Sequence, residues 1–259
     1  MKKSLAIVML FLLITAACSH PAEESPADQD VEITISAAAS LKEAMDVIQQ
    51  SYMKEHPHVK LRVNYGGSGS LQQQISNGAP VDLFFSAAED KYNRLVEEGK
   101  IAEEDGIDLL KNELVLVVPK EGEIAIQQLE DLATDKIQQL TIGTPESVPA
   151  GKYARESLET IGLWGEIEAK IVYAKDVRQV LSYVETGNVE AGLVYKTDAM
   201  ISDKVKIVAT ASSNTHSPIV YPVGVIKDSK HYEAAKQFYR YLQSEAALKV
   251  FEDYGFIME

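Results

Sequence analysis

A run of glycine and serine between a strand and a helix is the segment of this sequence with the clearest binding chemistry. The run Gly66-Gly67-Ser68-Gly69-Ser70 follows strand-like residues and precedes a glutamine-rich helical segment. Backbone N–H groups are exposed at such a turn, and the start of a helix favours an anion. The serine hydroxyls add neutral donors. The same pattern is also typical of a strand-to-helix turn that binds nothing.

A second run of small residues ends in another candidate serine. Residues 36–39 are Ser-Ala-Ala-Ala, which permits close approach by another part of the protein, and Ser40 follows. Ser40 and Glu43 also match a helix capping box, an interpretation that needs no ligand. Ser70 begins a second capping-box match, so Ser68 is the better candidate to face a ligand.

Motifs of enzymes are missing from the sequence. It contains no hydrolase nucleophile elbow, Walker loop, zinc-peptidase motif or dinucleotide-binding motif. The five histidines are scattered, and those at 56 and 58 flank a proline at a predicted helix end. We therefore predict no catalytic residue, no cofactor and no direct cation site. An enzyme that acts on an anionic small molecule remains an alternative.

The composition limits the class of partner. The chain has 259 residues, enough for two domains, and its 46% apolar and 25% charged content is typical of soluble globular proteins. A net charge of −14 argues against nucleic acid, because binding phosphate backbones needs a basic surface. A pocket of neutral donors can still bind a small anion locally.

The N-terminus has the pattern of an export signal. Two lysines precede an apolar run at 5–14 that is too short to span a bilayer, and Thr15-Ala16-Ala17-Cys18 follows. Small residues directly before a cysteine resemble the lipobox of bacterial lipoproteins, although Thr15 stands where leucine is usual. That resemblance implies cleavage before Cys18 and lipidation of its thiol, for example with palmitate. The alternative is an ordinary signal peptide with an incidental cysteine.

The segment after Cys18 is polar and acidic, with two prolines. We predict that residues 1–17 are the signal peptide and that residues 18–30 form a flexible tether. Cys18 is the only cysteine, so no disulfide is expected.

Strand and helix patterns alternate from Val31 onwards, which is typical of doubly wound α/β domains. Predicted strands lie at 31–35, 59–64, 81–86, 114–118, 140–143, 171–173, 191–195, 205–209 and 219–226. The strands at 114–118 and 219–226 would join two α/β units, and the C-terminal helices would return to the first. We predict lobe I at 31–113 and 222–259, lobe II at 114–221, and a ligand cleft between them.

Six blocks of sequence, in order, resemble the periplasmic molybdate-binding proteins of ABC importers, within the bacterial extracellular solute-binding proteins. They are Ala37-Ala38-Ala39-Ser40-Leu41, Tyr65-Gly66-Gly67-Ser68-Gly69-Ser70-Leu71, the segment 78–87, Val148-Pro149-Ala150-Gly151-Lys152-Tyr153-Ala154, Asp176-Val177-Arg178 and Gly192-Leu193-Val194-Tyr195. The resemblance runs from about residue 31 to the C-terminus. It implies a two-lobed periplasmic-binding-protein-like fold of type II, with two crossover strands.

The resemblance also implies a ligand set. Ser40 and Ser68 would donate hydroxyl and backbone N–H bonds from the first lobe. Ala150 and Val177 would donate backbone N–H bonds from the second lobe, and Tyr195 would donate its phenolic O–H. The ligand would be molybdate or tungstate, bound through its oxygens without a direct cation site.

The implied partners are an ABC permease and its ATPase. The protein would be a monomer held on the extracytoplasmic face of the cell membrane by a lipid at Cys18. A same-fold binding protein for sulfate or an organic acid is the competing hypothesis.

Overall fold

The computed structural model describes residues 30–122 and 124–258, and these residues form two mixed sheets with helices between the strands. The predicted signal peptide, the lipidation site Cys18 and the tether up to residue 29 lie outside the described residues. Among the residues described, no helix is long and apolar enough to cross a membrane.

The first sheet has six strands in the order β11-β4-β10-β3-β1-β2. Its strands are β1 (Val31–Ala38), β2 (Val59–Gly66), β3 (Leu83–Phe85), β4 (Ile101–Lys111), β10 (Val220–Ile226) and β11 (Ile257–Met258). β1 is parallel to β2 and β3, whereas β10 is antiparallel to β3 and β4. Its helices are α1 (Lys42–Glu55), α2 (Ser68–Ser76), α3 (Glu89–Glu97), α8 (Tyr232–Leu242) and α9 (Glu245–Asp253).

The second sheet has five strands in the order β7-β6-β8-β5-β9. Its strands are β5 (Leu114–Pro119), β6 (Leu140–Gly143), β7 (Ile171–Ala174), β8 (Ala191–Tyr195) and β9 (Val205–Thr210). Its helices are α4 (Pro149–Thr160), α5 (Trp164–Ile167), α6 (Val177–Glu185) and α7 (Lys196–Met200). Short 3-10 helices lie at Ala39–Leu41, Leu129–Ala133 and Glu168–Lys170. We call the part built on the six-stranded sheet the first lobe and the other part the second lobe.

The chain passes between the two sheets twice, from β4 to β5 and from β9 to β10. Pro222 does not break β10; the strand continues through it with a register shift against β4 between Tyr221 and Pro222. A proline is tolerated there because irregular pairing leaves no ladder hydrogen bond for it to lose. The predicted boundaries at 113 and 222 remain our proposal for where the lobes divide.

The C-terminal helices pack on the first lobe through their aromatic side chains. The Tyr52 ring on α1 lies 4.9 Å from the ring of Phe238 and 4.9 Å from that of Tyr241, both edge-on. Phe85 of β3 contacts Phe251 of α9 at 5.9 Å. Edge-to-face contacts at these distances are favourable beyond the area they bury, so α8 and α9 are fixed to the sheet that carries β1.

Candidate functional site

The two serine-bearing loops of the first lobe leave the same edge of one sheet. In the parallel pair of β1 and β2, Ala38 is opposite Gly66. Each strand then leads at once into a helix start: Ser40 lies in the 3-10 helix after β1, and Ser68 is the first residue of α2. The register therefore places the two loops side by side.

The second lobe repeats this arrangement. Gly143 of β6 is opposite Ala174 of β7, and the helices that follow, α4 and α6, begin at Pro149 and Val177. Tyr195 ends the neighbouring strand β8. N–H groups in the first turn of a helix have no acceptor within that helix, so the backbone of Ala150 and of Val177 presents free donors at one edge.

All five predicted site residues line one small cavity between these loops. Its lining is Ala38, Ala39, Ser40, Gly66, Gly67, Ser68, Ala87, Val148, Pro149, Ala150, Val177 and Tyr195. The cavity is small: the volume open to the centre of a water molecule is about 10 Å³. Ser70 is not in the lining, and α2 already begins at Ser68, so the capping-box interpretation of Ser70 is wrong.

The two serine hydroxyls have hydrogen-bond partners in the protein. The Ser68 Oγ accepts a hydrogen bond from the Ala87 N–H at 2.9 Å. The Ser40 Oγ lies 2.9 Å from the Tyr221 hydroxyl. Ser40 therefore caps no helix, and its predicted capping box is wrong. Glu43, the other half of that pattern, pairs with Arg178 instead.

Tyr195 brings a third hydroxyl to the cavity. Its side chain is buried, and its hydroxyl makes no hydrogen bond within the described part of the chain. Burial raises the pKa of Tyr195 well above its usual value, and the nearby Tyr221 adds to this. The phenol therefore keeps its proton and is available as a donor.

Backbone donors complete the site. The Asp176 carboxylate accepts the Gln179 N–H at 2.9 Å and so caps α6. That cap leaves the N–H of Val177, at the start of the same helix, for another acceptor. In α2 the Gly69 N–H donates to the Ser147 carbonyl of the second lobe at 2.9 Å, which leaves the Ser68 N–H at the cavity.

Charged side chains lie behind the cavity and not in it, because none of the twelve lining residues is an acid or a base. The Arg178 Nε donates to the Ala39 carbonyl at 3.2 Å and lies 3.0 Å from a carboxylate oxygen of Asp198. Neither oxygen of the buried Asp198 makes a hydrogen bond within the described residues. No group of acids, histidines and cysteines that could hold a metal ion occurs in the described ranges.

Sequence reasoning missed several residues that shape the site. Tyr221 and Asn112 support Ser40 from β10 and from the β4–β5 crossover, and Ala87 supports Ser68. Nothing in the local pattern of Tyr221 sets it apart from other strand residues. The sequence singles out the segment 78–87 for its strand and its resemblance to the family. The backbone donor of Ala87 leaves no signal in residue type.

A match to a family model covers most of the chain. Residues 33–257 match the bacterial extracellular solute-binding protein family. The chain is 55% identical over 255 residues to the "Putative ABC transporter substrate-binding lipoprotein YvgL" of Bacillus subtilis, which covers 98% of this chain and 97% of that protein. It is 35% identical over 228 residues to the molybdate-binding protein ModA of Haemophilus influenzae, covering 87% of this chain and 89% of ModA.

A solved structure has the same fold. It is the substrate-binding domain of a "putative molybdenum ABC transporter" from Clostridium difficile, 48% identical, with a TM-score of 0.67 over 88% of this chain and 98% of that one. The chain belongs to the bacterial extracellular solute-binding protein family, as its sequence predicts. The predicted two-lobed α/β fold is likewise confirmed.

Proposed function

We propose that this chain is the solute-binding lipoprotein of an ABC importer and that it captures molybdate or tungstate in the cavity between its lobes. The observation that carries the proposal is the donor set around the cavity, which consists of hydroxyls and helix-start N–H groups with no charged side chain. The relative named as a molybdate-binding protein supports the same ligand. The relatives named as substrate-binding proteins of ABC transporters support the same kind of partner. We propose Ser40, Ser68, Ala150, Val177 and Tyr195 as the ligands.

A tetrahedral dianion without a proton is an acceptor only, which is the ligand that such a site satisfies. Hydrogen bonds to a charged acceptor contribute about 1.5–3 kcal/mol each, net of the exchange with water, so four or five of them support tight binding. Phosphate near neutral pH retains at least one proton, and that proton needs an acceptor. A site made of donors would leave it unpaired at a cost of about 1–3 kcal/mol.

Sulfate has no proton, so donor chemistry does not reject it. We propose that size does, because its shorter bonds leave the donors of the two lobes too far from its oxygens. A hydrogen bond stretched beyond about 3.2 Å loses most of its value. Two or three such losses cost several kcal/mol.

Titration calorimetry with molybdate, tungstate, sulfate and phosphate at one ionic strength tests this proposal. We expect tight binding of the first two ions, far weaker binding of sulfate and none of phosphate. Sulfate binding as tightly as molybdate would overturn the ligand assignment in favour of the competing sulfate hypothesis. An organic acid that binds more tightly than either ion would do the same.

Two alanine variants test the ligand set. Ser40→Ala and Ser68→Ala each remove one charge-assisted hydrogen bond and are expected to weaken molybdate binding by about 1.5–3 kcal/mol, about ten- to a hundredfold. Ser70→Ala is the matched control, because this serine is in the same loop but outside the cavity lining. Unchanged affinity in both test variants would remove the serine loops from the site.

The remaining parts of the proposal concern location and partners. We propose a lipid at Cys18 that holds a monomer on the extracytoplasmic face of the membrane, where it delivers its ion to a permease with an ATPase. No catalytic step is proposed, since the cavity holds no general base beside the serines.

A further inference from the structure

We infer that Asn112 and Tyr221 are positioning residues that direct the proton of the Ser40 hydroxyl into the cavity and so make the site select fully deprotonated oxyanions. This inference rests on the proposed oxyanion function. It follows from counting donors and acceptors along one buried chain of side chains, from the β4–β5 crossover to the cavity.

The orientation of the Asn112 amide is fixed by its neighbours. Its Oδ1 accepts the Glu113 N–H at 2.9 Å, so the other amide atom must be the nitrogen. That Nδ2 donates to the Thr197 Oγ1 at 2.9 Å and to the Tyr221 hydroxyl at 3.2 Å. Both amide hydrogens are thereby used, and Tyr221 is an acceptor from Asn112.

The Tyr221 hydroxyl has one proton to donate, and the Ser40 Oγ at 2.9 Å is where it can go. Tyr221 is fully buried, and burial raises its pKa well above the usual value, so it stays protonated. If Ser40 donated to Tyr221 instead, the Tyr221 proton would need another acceptor, and the neighbouring Tyr195 hydroxyl does not serve as one, because it makes no hydrogen bond within the described residues. An unpaired buried donor is costly, which decides the direction from Tyr221 to Ser40.

The Ser40 Oγ then accepts a hydrogen bond from Tyr221 on the side away from the cavity, and its own proton is directed to the cavity. Ser68 is in the same position, because the Ala87 N–H donates to its Oγ. Both serines therefore present protons to the ligand. One lone pair of each serine oxygen is engaged from behind and its proton points to the ligand, so a protonated oxyanion meets only the one remaining lone pair of each serine as an acceptor.

We call the chain of hydrogen bonds from Asn112 through Tyr221 to Ser40 the relay. It begins at a point where the two crossovers are hydrogen-bonded to each other. Asn112 lies between β4 and β5, and its N–H donates to the Ile219 carbonyl, in the crossover that leads to β10, at 3.2 Å. Its side chain also reaches Thr197 of α7 in the second lobe. The group that orients the Ser40 proton is therefore held by both lobes.

Two substitutions break the relay in different ways. Tyr221→Phe removes the donor to Ser40, so the serine hydroxyl turns freely and its lone pair becomes available in the cavity. Asn112→Asp replaces the amide donor with carboxylate acceptors. Tyr221 then donates its proton to the new carboxylate at position 112, and Ser40 must donate to Tyr221. This second change reverses the relay.

The experiment measures molybdate affinity by calorimetry and phosphate by its competition against molybdate, at pH 7.5. We expect Tyr221→Phe to weaken molybdate binding about three- to tenfold and Asn112→Asp about a hundredfold. Phosphate, which does not compete with molybdate in the parent, should begin to compete measurably in both variants, so that the preference for molybdate over phosphate falls. A merely structural role would weaken molybdate binding without letting phosphate compete.

Two controls separate the relay from other effects. Tyr92→Phe removes a buried hydroxyl that makes no hydrogen bond within the described residues and does not line the cavity, and it should leave both ions unaffected. The double variant Tyr221→Phe/Asn112→Asp retains the new negative charge but cannot reverse Ser40. It should recover part of the preference that Asn112→Asp alone loses.

The outcomes are distinct. If the parent protein binds no oxyanion, the proposed function fails and the relay falls with it. If the parent binds molybdate while Tyr221→Phe and Asn112→Asp retain its preference over phosphate, the function stands and the relay is wrong. Circular dichroism establishes that each variant is folded, and loss of folding in Tyr221→Phe leaves the single variant Asn112→Asp to decide.

Discussion

Gly69 lies where the two lobes touch, and replacing it with alanine should hold the lobes apart. Its N–H donates to the Ser147 carbonyl at 2.9 Å. A Cβ at Gly69 would lie 2.8 Å from the Ser147 Cα, 2.9 Å from the Ser147 oxygen and 3.1 Å from the Glu146 oxygen. These are backbone atoms of the other lobe, which cannot turn aside as a flexible side chain can.

The expected loss follows from these distances. Ordinary contact of a Cβ begins at 3.4 Å, so the lobes must separate by about 0.6 Å or more at this point. That movement stretches the Gly69 hydrogen bond and lengthens the bonds from the second lobe to a bound ion. Losing about 1 kcal/mol for the first and weakening two charge-assisted bonds predicts about 2–4 kcal/mol of lost binding, about thirty- to a thousandfold.

The fold of Gly69→Ala should be intact, because the clash exists only when the lobes are together. Gly69 has no positive φ, and alanine is favoured over glycine within a helix by about 0.5–1 kcal/mol. Calorimetry with molybdate and thermal unfolding of the free protein measure the two effects.

Gly165→Ala is the control for this substitution. Gly165 lies in α5 of the second lobe, outside the cavity lining, and a Cβ there would meet no atom within 4 Å. We expect its affinity to stay within about twofold of the parent, which is a fraction of a kcal/mol. If Gly69→Ala binds molybdate as the parent does, then the closed arrangement of Gly69 against Ser147 is not the ligand-bound one.

Three other predictions concern the surroundings of the site and the anchor. Arg178→Lys loses the Nε donor to the Ala39 carbonyl and should weaken molybdate binding about three- to tenfold by calorimetry; equal affinity would contradict this. Burial raises the pKa of Asp198 from 3.8 to about 6, so the folded chain holds this proton more tightly than the unfolded chain, and about 3 kcal/mol of stability present below pH 4 is lost as the pH rises through 6. Asp198→Asn should lack that pH slope in thermal unfolding, and equal slopes in the two proteins would refute it. Cys18→Ala should move the protein from the membrane to the soluble fraction, and a variant that stays with the membrane would disprove lipidation at Cys18.

The parts of the fold with strong local patterns were predictable. Strands of the second lobe such as 140–143 and 191–195 have the bounds that their apolar runs predict. Gly99 and Gly187 lie just past α3 and α6 with φ of 68°, and a glycine after a helical pattern predicts such a helix end because glycine adopts this conformation freely. These features depend on short stretches of chain.

Features that depend on distant partners were not predictable. β4 was missed because its buried positions do not alternate, and one of them is an aspartate. Asp105 is tolerated there because it pairs with Lys236 and accepts a hydrogen bond from the Tyr232 hydroxyl at 2.6 Å, more than 120 residues away. The capping-box error at Ser40 has the same origin, since its partner Tyr221 comes from β10.

An acidic protein that binds an anion must do so with donors whose direction is fixed, because its charge works against the ligand. The site meets this need with helix starts held by the register of two sheets, since Ala38 faces Gly66 in one and Gly143 faces Ala174 in the other. Small residues let these helix starts approach within hydrogen-bond distance of each other across the lobes. Under the proposed function, the glycines that permit the approach set the distance between donors, and so the size of the ion that all of them can reach.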